Sequence, residues 1–249
     1  MIGNIEKWTL DNKIIVNIDK SKLMLLTPKS NPVLPTVYFN GNELEWVDSI
    51  RYLGLQLDNK LKFNFHYNKV IQSLSKYVGI FYSISNYTPR SALISIFNSL
   101  VLPVLYQNII IWGYLPQYQI NQINIKMNRI LRCILGVRFD DFFQPSIPTN
   151  NMYKMLNILK FKDLYNLSLL KFLHFILYKR PELFEFYFSH SYATRNIKIR
   201  LPITRLEMEK RSTVFRCCVL INEIHDRFIL PQSMITLKRN FKISCLDQY

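Results

Sequence analysis

The spacing of the apolar residues changes near Leu61, and this change divides the chain into two kinds of structure. Before it, short β-branched runs such as residues 13–17 and 50–57 alternate with turn residues, which is typical of strands. After it, apolar residues recur at three- and four-residue steps, which is typical of one helix face. The first such stripe consists of Phe63, Tyr67, Val70, Ile71, Leu74, Val78, Phe81 and Ile84. We therefore predict an α+β chain, with short β-hairpins first and a mainly α-helical body after them.

Breaking and capping residues predict where the later helices begin and end. Thr88 is expected to cap a second helix, with Pro89 at its first position. A third helix is predicted over residues 119–135, ended by Gly136. Residues 161–178 are apolar on most sides, so we expect a long central helix there.

The charge of the chain is strongly unbalanced. Thirty-two Lys and Arg face seventeen Asp and Glu, which gives a net charge of +15 and a pI near 9.7. Such a surface attracts polyanions, either nucleic acid or an anionic membrane. Aromatic residues make up 14% of the chain, and aromatic rings beside cations suit stacking on bases.

One uncharged stretch raises the alternative of a membrane protein. Residues 91–125 carry no charge, and residues 97–115 are largely apolar. A spanning helix needs roughly 20 predominantly apolar residues, whereas several polar residues interrupt this run. We therefore expect two buried helical pieces split at Pro103, and no membrane span.

The cysteines indicate a reducing environment. Cys133, Cys217, Cys218 and Cys245 show no CxxC spacing, and the first residues do not resemble a secretory signal. We expect an intracellular protein of the cytoplasm or nucleus. A zinc site that adds His225 to the last three cysteines is conceivable, but its spacing fits no common pattern. We therefore predict no metal site in this chain.

An ordered series of short motifs runs through residues 8–160. It consists of Asn17-x-x-Lys20-Ser21-x-x-Met24, then Tyr52-Leu53-Gly54, then Pro103-x-Leu105-Tyr106 with Ile111-Trp112, and finally Asn128-Arg129-x-x-Arg132-x-Ile134-x-Gly136. In this order, the series resembles the segment after the catalytic loop in non-LTR (LINE-type) retrotransposon reverse transcriptases.

The resemblance implies a three-part organisation. Residues 1–61 would be the end of the polymerase palm, residues 62–145 a helical thumb, and residues 146–249 a basic C-terminal helical region. The Tyr52-Leu53-Gly54 hairpin would be the primer grip, because a glycine lets the backbone approach a sugar-phosphate closely. A half-buried strand aromatic is the other interpretation of the tyrosine. The implied partner is an RNA–DNA or RNA template-primer.

The resemblance also implies roles for several cations. Lys20, or Lys22 in its place, would lie near the triphosphate and favour departure of pyrophosphate; a solvated turn lysine is the alternative. Arg129, Arg132 and Arg138 are candidates for phosphate contacts; the alternative is ordinary cations that complement a helix end.

The sequence departs from the family where the chemistry would be. The catalytic Tyr/Phe-x-Asp-Asp loop would precede Trp8 and is not in this chain. Asp140 and Asp141 follow the predicted thumb helix and are interpreted as a loop or cap pair. The two Mg²⁺ ions of polymerisation would therefore belong to the missing motif, and we expect no polymerase activity from this chain alone. The alternative is a stand-alone basic helical protein that binds nucleic acid.

Overall fold

The chain forms two compact units, Met1–Tyr67 and Asn68–Tyr249. The computed structural model describes residues 2–27, 32–137, 147–183, 201–205, 207–224 and 233–249. Short strands occur only in the first unit of this described part, and helices predominate in the second. The assignment of palm, thumb and C-terminal region stays a prediction.

Within residues 2–27 and 32–67, the first unit shows one helix, six short strands and the start of a long helix. The first helix and the strands are α1 (Ile2–Asp11), β1 (Lys22–Leu23), β2 (Tyr38–Phe39), β3 (Asn42–Glu43), β4 (Glu45–Trp46), β5 (Ser49–Tyr52) and β6 (Leu55–Asp58). β2 pairs with β3 and β5 with β6 in antiparallel fashion, whereas β1 pairs with β4 in parallel. The sequence did not predict α1, and the strand predicted over residues 13–17 is wrong. Its first residue, Lys13, adopts a left-handed conformation with φ of 54°, which interrupts an extended run.

The two antiparallel pairs are tight hairpins, and the second turns within the run of residues 50–57. Asn40 and Gly41 connect β2 to β3, with φ of 47° and 75°. Leu53 and Gly54 connect β5 to β6, with φ of 45° and 83°. Positive φ at both central residues matches the twist of the flanking strands in a two-residue loop.

Asp58 fixes the passage from the last strand to the first long helix. Its buried carboxylate accepts N–H bonds from Lys60 at 3.1 Å, Lys62 at 3.0 Å and Phe63 at 2.5 Å. Leu61 and Phe63 both have positive φ, which is uncommon for large apolar residues. Three charge-assisted hydrogen bonds therefore hold a turn that the local residues would not favour by themselves.

The rest of the described chain is mainly helical. Its elements are α2 (Asn64–Ile84), α3 (Arg90–Ile96), a π-helical turn (Phe97–Val101), α4 (Leu102–Tyr106), α5 (Ile109–Trp112), α6 (Gln117–Leu135), α7 (Thr149–Leu156), α8 (Phe161–Lys179), α9 (Glu207–Lys210), α10 (Thr213–Ile224) and α11 (Met234–Gln248). The predicted central helix is confirmed, since α8 contacts α4, α5, α6, α10 and α11.

Two predicted helix boundaries were wrong. Pro89 is the N-cap of α3, so the helix begins one residue later than predicted and Thr88 does not cap it. The chain also stays helical through Pro103, because the π-helical turn before it shifts the hydrogen bonds, with the Leu102 N–H donating to the Phe97 carbonyl. The break comes at Asn108, whose φ is 54°. None of the helices that the structure describes is long and apolar enough to cross a membrane.

The second unit is centred on a buried tryptophan beside a close helix contact. The Trp112 indole N–H donates to the Gln107 carbonyl at 2.7 Å, and its ring lies 5.5 Å from that of Phe161. A Cβ on Gly113 would lie 2.6 Å from a ring carbon of Tyr165 and 2.5 Å from the Ile109 carbonyl oxygen. Only glycine therefore fits between α5 and α8 at this position.

The last residue closes this core. The Tyr249 hydroxyl accepts the Lys160 backbone N–H at 2.9 Å and donates to the Asp163 carboxylate at 2.5 Å. The Lys160 ammonium lies 4.4 Å from the centre of the Tyr249 ring. Burial, followed by the hydrogen bond to Asp163, raises the pKa of this phenol well above its usual value. The neutral hydroxyl therefore anchors α11 against α8.

Candidate nucleic-acid interface

A groove lies between the ends of α2 and α6 in the second unit. Its volume is about 480 Å³. One wall comes from the end of α2 and the residues that follow it, and the other comes from the end of α6 and its C-cap. The lining residues are Val78, Tyr82, Ser85, Asn86, Arg129, Arg132, Cys133, Gly136 and Val137.

The amphipathic pattern of α6 places two predicted phosphate ligands in this groove. Met127 and Ile130 are completely buried, and they lie on one face of the helix. Arg129 and Arg132 are three residues apart, so they project together from the opposite face. Gly136 ends the helix in the left-handed conformation with φ of 72°, as predicted. The structure therefore brings together two of the three arginines that are candidates for phosphate contacts.

The third arginine and the paired aspartates cannot be placed. Arg138, Asp140 and Asp141 lie outside the residues that the structure describes. The interpretation of Arg132 as a cation that complements the helix dipole also stays open, because it lies in the last turn of α6.

The groove belongs to a long segment without acidic residues, which the sequence analysis overlooked. Residues 59–139 contain nine Lys and Arg and no Asp or Glu. A segment of this length with one sign of charge produces a positive potential over the surface that it forms. Counting carboxylates along the chain, in addition to the net charge, would have found this feature.

The wall opposite the arginines carries an aromatic ring. Val78 and Tyr82 project from one face of α2, Ser85 follows its last residue, and the tyrosine is 68% exposed. An exposed ring beside guanidinium groups suits both stacking and phosphate contact. Cys133 also lines the groove, and burial raises the pKa of its thiol, so it stays neutral near pH 7.

The predicted primer-grip residues lie at an exposed hairpin tip in the first unit. Tyr52 is 62% exposed and Leu53 is 78% exposed. Leucine in the left-handed region costs roughly 1–2 kcal/mol relative to glycine, and it is not offset here by burial. Leu53 is thus an unfavourable residue for its backbone conformation, and such residues are common at functional sites. The primer-grip role itself stays a prediction.

The motif around Lys20 is an interlocked turn. The Lys20 backbone N–H donates to the Asn17 side-chain oxygen at 3.0 Å, and the Ser21 hydroxyl donates to the Asn17 carbonyl at 2.8 Å. The spacing Asn-x-x-Lys-Ser therefore has a structural reason, and it leaves the lysine side chain exposed. The alternative cation, Lys22, pairs with Glu45 at 2.5 Å. The role of either lysine near a triphosphate stays a prediction.

The cysteines are positioned as core residues. Cys217, Cys218 and Cys245 are buried, and burial raises the thiol pKa of Cys218 to about 11 and that of Cys245 to about 12. Within the described ranges no group of three or more His, Cys, Asp or Glu is arranged to hold a metal. His225, the fourth residue of the conceivable zinc site, lies outside those ranges.

Comparison with known proteins points to a mobile-element polymerase. No family model matches the chain, and no solved structure matches it. Over 137 residues, or 53% of its length, the chain is 25% identical to the "RNA-directed DNA polymerase from mobile element jockey" of Drosophila melanogaster. That match spans only 14% of the Drosophila protein. The chain is thus distantly similar to a mobile-element RNA-directed DNA polymerase.

Proposed function

We propose that this chain is the C-terminal part of a non-LTR retrotransposon reverse transcriptase and grips the template-primer duplex. The observation that carries the proposal is the groove in the second unit, where Arg129 and Arg132 face Tyr82 within a segment free of carboxylates. The distant relationship to a mobile-element polymerase and the order of the motifs support it.

The groove residues suit binding without sequence choice. Phosphates are the part of a duplex that every sequence presents, and arginine forks match their geometry. Two arginines one turn apart on α6 can contact the same strand. Most of the affinity is then electrostatic and falls as salt rises.

The hairpin tip and the Lys20 turn complete the proposal. Tyr52 and Leu53 would contact the primer end, and the positive-φ Gly54 leaves room for the sugar-phosphate backbone. Lys20 would stabilise the leaving pyrophosphate, because a hydrogen-bonded turn holds its backbone and leaves its charged side chain exposed. Catalysis needs carboxylates that hold two metal ions, and this sequence contains no Tyr/Phe-x-Asp-Asp loop. We therefore expect no primer extension by this chain with Mg²⁺ or Mn²⁺, and measured extension would contradict the assignment.

Fluorescence anisotropy with a labelled RNA–DNA hybrid tests the groove. Replacing Arg129 and Arg132 with Gln should weaken binding by about tenfold, because two phosphate contacts are lost. The matched control replaces Lys154 and Lys162, two exposed cations of the same unit that do not line the groove. The control should change the Kd by less than about twofold. Equal losses in both variants would show that net charge alone sets the affinity.

The same assay separates the proposal from a stand-alone nucleic-acid-binding protein. A reverse-transcriptase segment should bind the RNA–DNA hybrid more tightly than double-stranded DNA of the same sequence, because the hybrid has A-like geometry. Equal affinity for both duplexes would favour the stand-alone protein.

A further inference from the structure

We propose that the groove between α2 and α6 takes a single unpaired nucleotide of an RNA strand, with its base against Tyr82 and its phosphate against Arg129 and Arg132. The inference deepens the proposed function and rests on it, because it names the part of the nucleic acid that this site recognises.

The concave shape of the groove leaves room for a nucleotide in addition to the phosphate contacts proposed for Arg129 and Arg132. Phosphates along a duplex need only an exposed row of cations, which any convex basic surface supplies. This site is instead a concave space of about 480 Å³. That volume lies within the range of about 300–1,000 Å³ typical of sites for small organic ligands.

One wall of the groove is apolar and the other is cationic, and a nucleotide likewise has an apolar base face and an anionic phosphate. Val78 and Tyr82 form an apolar and aromatic wall, and Val137 adds an apolar group opposite them. Arg129 and Arg132 supply the positive charge. A base has an apolar face and its phosphate a negative charge, so one nucleotide matches both features at once.

Only an unpaired base can stack on the Tyr82 ring. In a hybrid or RNA duplex each base face is covered by its neighbours, and proteins therefore stack aromatic side chains on bases of single strands, loops and bulges. The Tyr82 ring is 68% exposed, so it is open to such a base. Ser85 lies at the same rim; its hydroxyl donates to the Tyr82 carbonyl at 3.3 Å, and its oxygen can accept a hydrogen bond from a base edge or sugar.

Binding of the intact chain to a labelled single-stranded RNA and to a blunt RNA–DNA hybrid tests the inference. Tyr82→Ala should weaken binding of the single strand by about tenfold, because base stacking is lost, and should change hybrid binding by less than about twofold. Tyr82→Phe keeps the ring and should bind like the unmodified chain. Tyr87→Ala is the matched control, because Tyr87 is also exposed and does not line the groove.

The outcomes separate this inference from the proposed function. If Tyr82→Ala behaves like Tyr87→Ala on the single strand, or weakens the hybrid equally, the inference is overturned. The proposed function still stands in that case if the Arg129 and Arg132 variant loses hybrid binding. A last measurement adds free nucleoside monophosphate as a competitor. Displacing the labelled RNA strand should need a monophosphate concentration far above the Kd of that strand. Equal potency would instead assign the groove to a free nucleotide.

Discussion

The two units differ in how they use apolar side chains and charge. Among the described residues, the first unit buries five apolar side chains and exposes thirteen large ones, whereas the second buries thirty-five and exposes fifteen. In the sequence, the first unit has eight Lys and Arg against seven Asp and Glu, and the second has twenty-four against ten. The second unit therefore supplies both the core and the positive field, while the first presents tight turns.

If the chain grips a duplex as proposed, the two units would supply different contacts. Phosphate affinity needs many cations, and the helical unit carries twenty-four Lys and Arg. A contact with a primer end needs a few residues at a defined tip, such as Tyr52 and Leu53.

Two of the three tryptophans should show the difference in stability between the units most clearly. Trp112 in the second unit is fully buried, so Trp112→Ala should lower the free energy of unfolding by about 3–5 kcal/mol. Trp8 in the first unit is 57% exposed, so Trp8→Ala should cost less than about 0.5 kcal/mol. Urea denaturation followed by circular dichroism measures both values. Similar losses would mean that the first unit is held as firmly as the second.

Alkaline pH should destabilise the second unit. Burial raises the pKa of Tyr153 and of Tyr165, and burial with the Asp163 hydrogen bond raises that of Tyr249. Their stabilising contribution is therefore complete below the ordinary phenol pKa of 10.0 and is lost as pH rises beyond it, because only the unfolded state then releases these protons. The urea midpoint should fall steadily from about pH 9 upward. Tyr153→Phe should make this decline less steep. An unchanged decline would contradict the contribution of Tyr153 to the pH dependence of stability.

Replacing two glycines of the helical unit with alanine should change its stability in opposite directions. Gly113→Ala should destabilise by about 1–3 kcal/mol, because the new Cβ meets Tyr165 and a backbone carbonyl. Gly79 lies inside α2 with no atom within 4 Å of its would-be Cβ, so Gly79→Ala should stabilise by about 0.5–1 kcal/mol. Thermal unfolding of both variants checks the pair. A tolerated alanine at position 113 would show that the α5–α8 contact can relax.

The smallest expected effect concerns the hairpin tip of the first unit. Leu53→Asn should stabilise by about 0.5–1 kcal/mol, because asparagine tolerates the left-handed conformation better than leucine. If the tip contacts the primer, the same change should weaken binding of a recessed primer-template while leaving a blunt hybrid unaffected. A gain in stability without any loss of binding would remove the functional reason for the leucine.

Strong local periodicity made the long helices predictable from the sequence. The packing between distant segments was not predictable in this way. The stripe containing Met127 and Ile130 and the stop at Gly136 fixed α6 almost to the residue. The first helix was missed although Ile2, Ile5 and Trp8 recur at three-residue steps, because its ten residues are too few for a helical pattern to stand out. The groove was not predictable, because placing Tyr82 opposite Arg129 requires knowing how two distant segments meet.

If phosphate contacts come from the groove of the helical unit, the salt dependence of hybrid binding should change when its two arginines are replaced. The slope of log K against log salt should fall by about 1.8 when Arg129 and Arg132 become Gln, since each phosphate contact contributes about 0.9. Replacing Lys7 and Lys13, two exposed cations of the first unit, should leave the slope nearly unchanged. An equal fall in both variants would contradict the account.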